Sequence, residues 1–164
     1  MLFPAHIALS IIVLRLLIEV YPLYYSKSLF FIGLSIVFGL LPDFDIIGKK
    51  FKDHHKSLFH APLFWIIICG LLFFINYYFA LLFTLQIFIH LFSDYITART
   101  AGISIFYPLS KKDYSLFPLK SYKGDFHLTD FKNYKEYLIN YANNKILLIF
   151  EIGVFMIGII LIFI

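Results

Sequence analysis

The chain has 164 residues, enough for one domain, with 61% hydrophobic and only 15% charged residues and a net charge of +4. A water-soluble domain carries about 25% charged residues, so the composition excludes an ordinary soluble protein and makes lipid the solvent for most of the surface. Cys69 is the one cysteine, which excludes an internal disulfide and any cysteine-based metal motif, so a bound metal would have to be held by His and carboxylate.

Ile7 to Tyr21 is apolar apart from Ser10, Arg15 and Glu19 and predicts a first membrane helix. It lacks the basic start and unbroken apolar stretch of a signal peptide, so it reads as a retained helix. Tyr21-Pro22 ends it, and Tyr24-Tyr25-Ser26-Lys27 predicts a turn with interfacial aromatics. Ser28 to Leu41 predicts a second helix, short against the roughly 20 residues of a full span. After Pro42 a polar stretch runs to His60. Ala61 to Ile75 and Tyr77 to Phe92, separated by Asn76, predict a helical hairpin. Ser93 to Lys145 is polar, with a loop from Gly102 to Thr129 punctuated by Pro108, Pro118 and Gly124. Phe131, Tyr134, Leu138 and Tyr141 then recur at helical spacing among lysines, as in a helix on a membrane surface or packed on the protein itself. Ile146 to Ile164 predicts a last span, broken only by Glu151, Gly153 and Gly158. The expected fold is a single all-α domain over 1–164, a polytopic membrane bundle of about five hydrophobic helices.

If each helix crosses in turn, Pro42–His60 and Ser93–Lys145 lie on the same side as the N-terminus. That side holds 12 of the 14 basic residues, leaving Lys27 on the other side and Arg15 within a helix. The positive-inside rule makes it cytoplasmic. All 6 histidines fall on it too, which points to a shared site facing the cytoplasm.

Four segments carry candidate chemistry. His90-Leu91-Phe92-Ser93-Asp94 sets an imidazole and a carboxylate four apart, on one helix face. That pair suits zinc, iron or manganese, though a His and an Asp bonded to each other at a helix end would look the same. Leu41-Pro42-Asp43-Phe44-Asp45 offers two carboxylates that point the same way if the segment is extended. They could bind a cation or act as a base on metal-activated water, or serve as turn chemistry beside Pro42. In His55-Lys56-Ser57-Leu58-Phe59-His60 the spacing of five fits a loop His55 with His60 at a helix start, since Ala61-Pro62 follows. His54 competes for the role of His55, and Lys56 could attract an anionic substrate group or be a solvated loop residue. His6 is a further candidate ligand or an interfacial residue. Within the spans, Arg15 and Glu19 stand four apart and can pair, and Glu151 lies inside the last helix.

These segments, with Gly102 and Tyr107-Pro108-Leu109-Ser110-Lys111-Lys112 following, resemble the YdjM-like family of inner-membrane proteins, some of them regulated by LexA. The likeness runs from His6 to about Phe117. It implies a metal-dependent hydrolase with His6, Asp43, Asp45, His55, His60, His90 and Asp94 as metal-site residues, and a distant likeness to all-helical zinc-dependent phospholipases C. The chain departs from the family pattern at Lys56, Ser57, Phe59 and Ala61, where Arg, Gly, Thr and Ser are usual. Lys lacks the bidentate fork of Arg, so anion binding at Lys56 would differ.

The expected function is therefore a multi-pass, membrane-bound metal-dependent hydrolase that cleaves a phosphoester in a lipid or other anionic, membrane-associated substrate. One or two divalent ions, zinc foremost, would be its cofactors. Asp43, Asp45 and Lys56 are the expected catalytic residues. No nucleic-acid motif is seen. A metal transporter or sensor and a non-catalytic lipid-binding scaffold are the rival expectations.

Overall fold

The computed structural model describes residues 3–47, 57–97, 102–116, 135, 138–139, 142–143 and 145–164. Its α-helices are α1 (Phe3–Val20), α2 (Leu29–Leu40), α3 (Pro62–Ile75), α4 (Tyr77–Thr97) and α5 (Lys145–Phe163). Two 3₁₀ segments, Leu41–Ile47 and Leu58–His60, lie between α2 and α3. Among the described residues there is no strand, only an isolated bridge between Ile103 and Tyr114. The all-α expectation holds. Apolar runs fold this way because a helix satisfies every backbone group internally where lipid offers no partner.

Short-range chemistry sets the helix ends. Ser28 caps α2, its hydroxyl accepting from the Phe31 N–H. Pro62 opens α3, where its missing N–H would have had no partner. Asn76 ends α3 and starts α4, its side-chain oxygen accepting from the Phe79 N–H at 2.9 Å. Two boundaries differ from expectation. α1 begins before His6, and α4 continues through the His90–Asp94 motif to Thr97. One further turn of helix satisfies the backbone of a motif whose His90, Leu91, Ser93 and Asp94 side chains are turned inward.

Helices α1, α4 and α5 are long and apolar enough to cross a membrane. The 12 residues of α2 and 14 of α3 reach only about 18 and 21 Å at 1.5 Å per residue, short of the ~30 Å hydrocarbon core. At their inner ends the 3₁₀ segments take over and fold across that end of the bundle. Leu14, Leu17, Phe38, Trp65, Cys69, Leu82, Phe83, Ile87 and Leu91 form the core between α1 and α4. α5 packs on α1 at Gly158, where a Cβ would stand 2.7 Å from that of Ala8, so only glycine allows this approach. Most other α5 side chains are exposed and apolar, as on a lipid-facing helix. Lys27, in the α1–α2 turn, donates to the carbonyl of Ile164. The end of α5 therefore lies at the same end of the bundle as that turn, which is the order the crossing count predicts.

Candidate metal centre

Three apolar helices each carry a short polar stripe at a spacing of four: His6 and Ser10 on α1, Ser35 and Gly39 on α2, and Gln86, His90 and Asp94 on α4. Residues so spaced share a face, and in this bundle those faces meet. The start of α1, the end of α2 and the end of α4 converge there, and His60 closes the group from the 3₁₀ turn before α3. That turn is held to α3 by Trp65, whose indole N–H donates to the Phe59 carbonyl at 2.6 Å.

Asp43, His60, His90 and Asp94 come together with ligand atoms all within 4.8 Å of one another. All four are buried, His60 completely. His60 Nε2 lies 3.4 Å from Asp43 Oδ1 and 3.7 Å from Asp94 Oδ2. His90 Nε2 lies 3.5 Å from Asp43 Oδ1 and 3.1 Å from Asp94 Oδ2. A four-coordinate ion with bonds of about 2.0–2.1 Å sets its ligand atoms about 3.3–3.4 Å apart. The four distances straddle that tetrahedral edge, so the residues fit a zinc-sized cation.

The surroundings aim the rings. His90 Nδ1 stands 2.6 Å from the Gly39 carbonyl. A carbonyl only accepts, so Nδ1 carries a proton, and Nε2 is the nitrogen aimed at the two carboxylates, open to a metal once it gives up its own proton. Asp45 Oδ2 lies 3.9 Å from His60 Nδ1, on the opposite edge of that ring from Asp43. A carboxylate or carbonyl behind a ligand imidazole is the usual device for holding its orientation.

The expectation of an extended Asp43–Asp45 segment does not hold. The segment is a 3₁₀ helix, in which residues two apart diverge by about 240° at three residues per turn. Pro42 ends the α-helical hydrogen bonding, but the chain tightens into 3₁₀ turns and does not straighten. Asp43 and Asp45 consequently approach His60 at different nitrogens.

Electrostatics at the two residues outside the spans follow from this packing. Burial alone would push the Asp43 carboxyl up, but the charge of His90 and hydrogen bonds from His60 and His90 outweigh it, holding Asp43 well below the usual carboxylate range. Burial works against a proton on His60, but Asp43, Asp45 and Asp94 outweigh it, so its pKa is raised above the ordinary imidazole value. Without a metal, a proton held at His60 offsets part of the carboxylate charge.

His6 also reaches the group. Its ring stacks on His90 with centroids 3.9 Å apart, and its Nε2 lies 3.3 Å from Asp94 Oδ1. One turn deeper, Gln86 Nε2 donates to the Ser10 carbonyl at 3.0 Å and to Ser35, whose hydroxyl donates to the same carbonyl at 2.8 Å. No sequence motif marks this layer as a unit, although the stripes at a spacing of four are its visible signal. Gly39 is required here, because a Cβ would fall 1.8 Å from Ser10 Oγ. His54, His55, Lys56 and His127, and most of the surface-helix pattern at Phe131–Tyr141, lie outside the described residues. Arg15 and Glu19 pair as expected at 3.4 Å, and Glu151 is buried.

A search of curated proteins and a search of solved structures found no match. A family model described as YdjM inner membrane protein matches residues 1–164. With that match over its whole length, and with apolar helices long enough to cross a bilayer, the chain belongs to the YdjM inner membrane protein family.

Proposed function

We propose that this protein is a membrane-embedded, metal-dependent hydrolase that cleaves a phosphoester in a lipid or other anionic substrate held at the bilayer surface. The observation that carries the reading is the buried set Asp43, His60, His90 and Asp94, whose nitrogen–oxygen distances match the edges of a tetrahedral ion site. Ionisable groups are costly inside a membrane protein and tend to be retained for function. Two imidazoles and two carboxylates at these distances favour zinc.

A divalent cation bound there supplies Lewis acidity to a phosphoryl oxygen and lowers the pKa of water. The protein does the rest. Asp43 and Asp94 provide negative charge to hold the cation, while Asp45 and the Gly39 carbonyl keep the two imidazoles aimed. A carboxyl held as low as that of Asp43 suits holding a cation more than taking a proton. The basic residues that the crossing count expects on the site's side support both a cytoplasmic orientation and an anionic substrate.

Transport is the less favoured reading, because the polar stripes turn apolar one turn below Ser10, Ser35 and Gln86, at Leu14, Phe31 and Leu82. These side chains leave no polar path onward between α1, α2 and α4. The test is element analysis of the purified protein, followed by hydrolysis of anionic phospholipid vesicles with and without chelator. We expect bound zinc and headgroup release that chelator abolishes and added zinc restores. Bound metal with no hydrolysis of any phosphoester would favour storage or sensing, and absence of metal would remove the basis of the reading.

A further inference from the structure

We propose that residues 102–116 form a membrane-interface anchor. Its tip, Phe106 to Leu109, sits in the bilayer at the site's end of the bundle, and Lys111 and Lys112 lie among anionic lipid headgroups around it. The surface concerned is outside the metal centre and needs no bound ion.

The loop has a fixed root. Gly102 has a φ of +84°, and a Cβ there would fall 2.3 Å from the Tyr114 carbonyl oxygen, so only glycine lets the chain double back this closely. Ile103 and Tyr114 exchange two backbone hydrogen bonds, at 3.0 and 2.9 Å. The Ser104 hydroxyl donates to Asp113 Oδ1 at 2.7 Å. Ile103 and Ser104 are buried. Beyond this root the Tyr107 N–H donates to the Ser104 carbonyl and the Ser110 N–H to that of Phe106, which closes the tip in tight turns.

The tip turns apolar side chains outward. Phe106 is 52% and Leu109 83% exposed, with Pro108 exposed between them. A lone exposed Leu is ordinary, but an apolar tip on a rooted loop marks a surface that meets a partner. Lys111 and Lys112 follow, both exposed, and Lys112 Nζ stands 5.4 Å from the centre of the Tyr114 ring. Apolar residues bordered by Tyr and Lys match the boundary between acyl chains and headgroups.

The position of the loop selects lipid as that partner. The Leu116 N–H donates to the Tyr95 carbonyl at 3.0 Å, and Tyr95 lies in the last turn of the α4 span, Tyr77–Ile96. The root is thus tied to α4 at the level where a bilayer would end. Phe92, one turn back on α4, and Leu116 are both apolar and exposed, so the lipid-facing surface of the helix leads to the base of the loop. Two adjacent cations complement an anionic leaflet. Held there, they gather anionic headgroups beside the end of α4 that carries Asp94.

The experiment places a nitroxide at Leu109→Cys, in a Cys69→Ala background, on the full chain in nanodiscs of mixed anionic and zwitterionic phospholipid. Its relaxation by oxygen, which partitions into acyl chains, is compared with that by a water-soluble nickel chelate. We expect oxygen to dominate at residue 109 and nickel at a label on Lys111→Cys. Reversing both charges, Lys111→Glu with Lys112→Glu, should raise nickel access at residue 109 several-fold. A label at 109 relaxed chiefly by nickel overturns the anchor, because the tip would then lie in water. A label shielded from both reagents also overturns it, because protein would then cover the tip. Unchanged access after charge reversal overturns the role of the lysines. If the Cys69→Ala background does not fold, Leu109→Trp in the native chain decides the matter: the added fluorescence should be quenched by brominated lipid and not by aqueous iodide, and the reverse overturns the anchor.

Discussion

The two ends of this helix bundle are built from the same four helices and differ in how their polar groups are satisfied. At the end holding the α1–α2 turn and the α3–α4 junction, each polar group identified has an ordinary partner. The Tyr25 hydroxyl donates to the Tyr78 carbonyl at 2.6 Å, Ser28 caps α2 and Asn76 caps α4. Aromatic rings of Tyr21, Tyr24, Tyr25 and Tyr78 fill the rest, as in an interfacial belt. At the other end, imidazole nitrogens and carboxylate oxygens converge on one another, with backbone carbonyls behind some of them. The first arrangement is complete with protein atoms alone, and the second is an acceptor-rich set that fits a cation. Only the second end should therefore respond to metal and to pH.

The largest effect expected is loss of metal on removing a ligand. His90→Ala or Asp94→Asn should take bound metal close to zero by element analysis, while Tyr25→Phe at the opposite end leaves it unchanged. Equal metal content in wild type and His90→Ala would erase the distinction between the ends. Next comes Gly39→Ala. The added methyl falls on Ser10 and must move the carbonyl that holds His90, so metal affinity should drop by at least the ~10–100-fold typical of losing a partner behind a ligand. Asp45→Asn, which keeps size and removes the charge behind His60, should weaken affinity by about 10- to 100-fold in a competitive chelator titration.

The pH response sharpens the comparison. Metal must displace the proton that His60 holds in the metal-free protein. Because the pKa of His60 is raised, affinity should fall as pH drops from above the usual imidazole range and keep falling below it, more steeply once Asp43 and the other carboxylates also protonate. Calorimetry in buffers of different ionisation enthalpy would report the released proton, and binding independent of pH from about 6 to 9, a window that includes the ordinary imidazole value and extends above it, would contradict it. At the opposite end, burial and the neighbouring Tyr21, Tyr77 and Tyr78 push the Tyr25 phenol up to about 12, so that end should be silent to pH. The smallest effect is Tyr25→Phe on stability, a loss of about 0.5–1.5 kcal/mol for one hydrogen bond, read from a shift in thermal unfolding.

Much of this difference was legible from residues near one another in the chain. Hydropathy marks the apolar runs because lipid requires them whatever their neighbours are. Asn76 and Pro62 mark helix ends because capping is decided within a turn. The His90–Asp94 pair was legible because a spacing of four fixes a shared face on any helix. The Asp43–Asp45 pair was not, because a Pro at a helix end is compatible with an extended chain and with a 3₁₀ turn, and these aim the second carboxylate differently.

What the sequence alone determined is a membrane-borne helical chain, with its imidazoles and most of its cations expected on one side, since composition, periodicity and crossing order are properties of the chain by itself. Only the tertiary structure decided that His60, more than twenty residues from either partner on α4, meets His90 and Asp94, that Asp45 stands behind His60, and that His6 reaches the second oxygen of Asp94. The physical reason is range. A helix face is set by neighbours three and four residues away, whereas a ligand cluster needs ångström-scale agreement among segments that meet only through the close packing of α1, α2 and α4 around Ser10, Gly39 and Gln86.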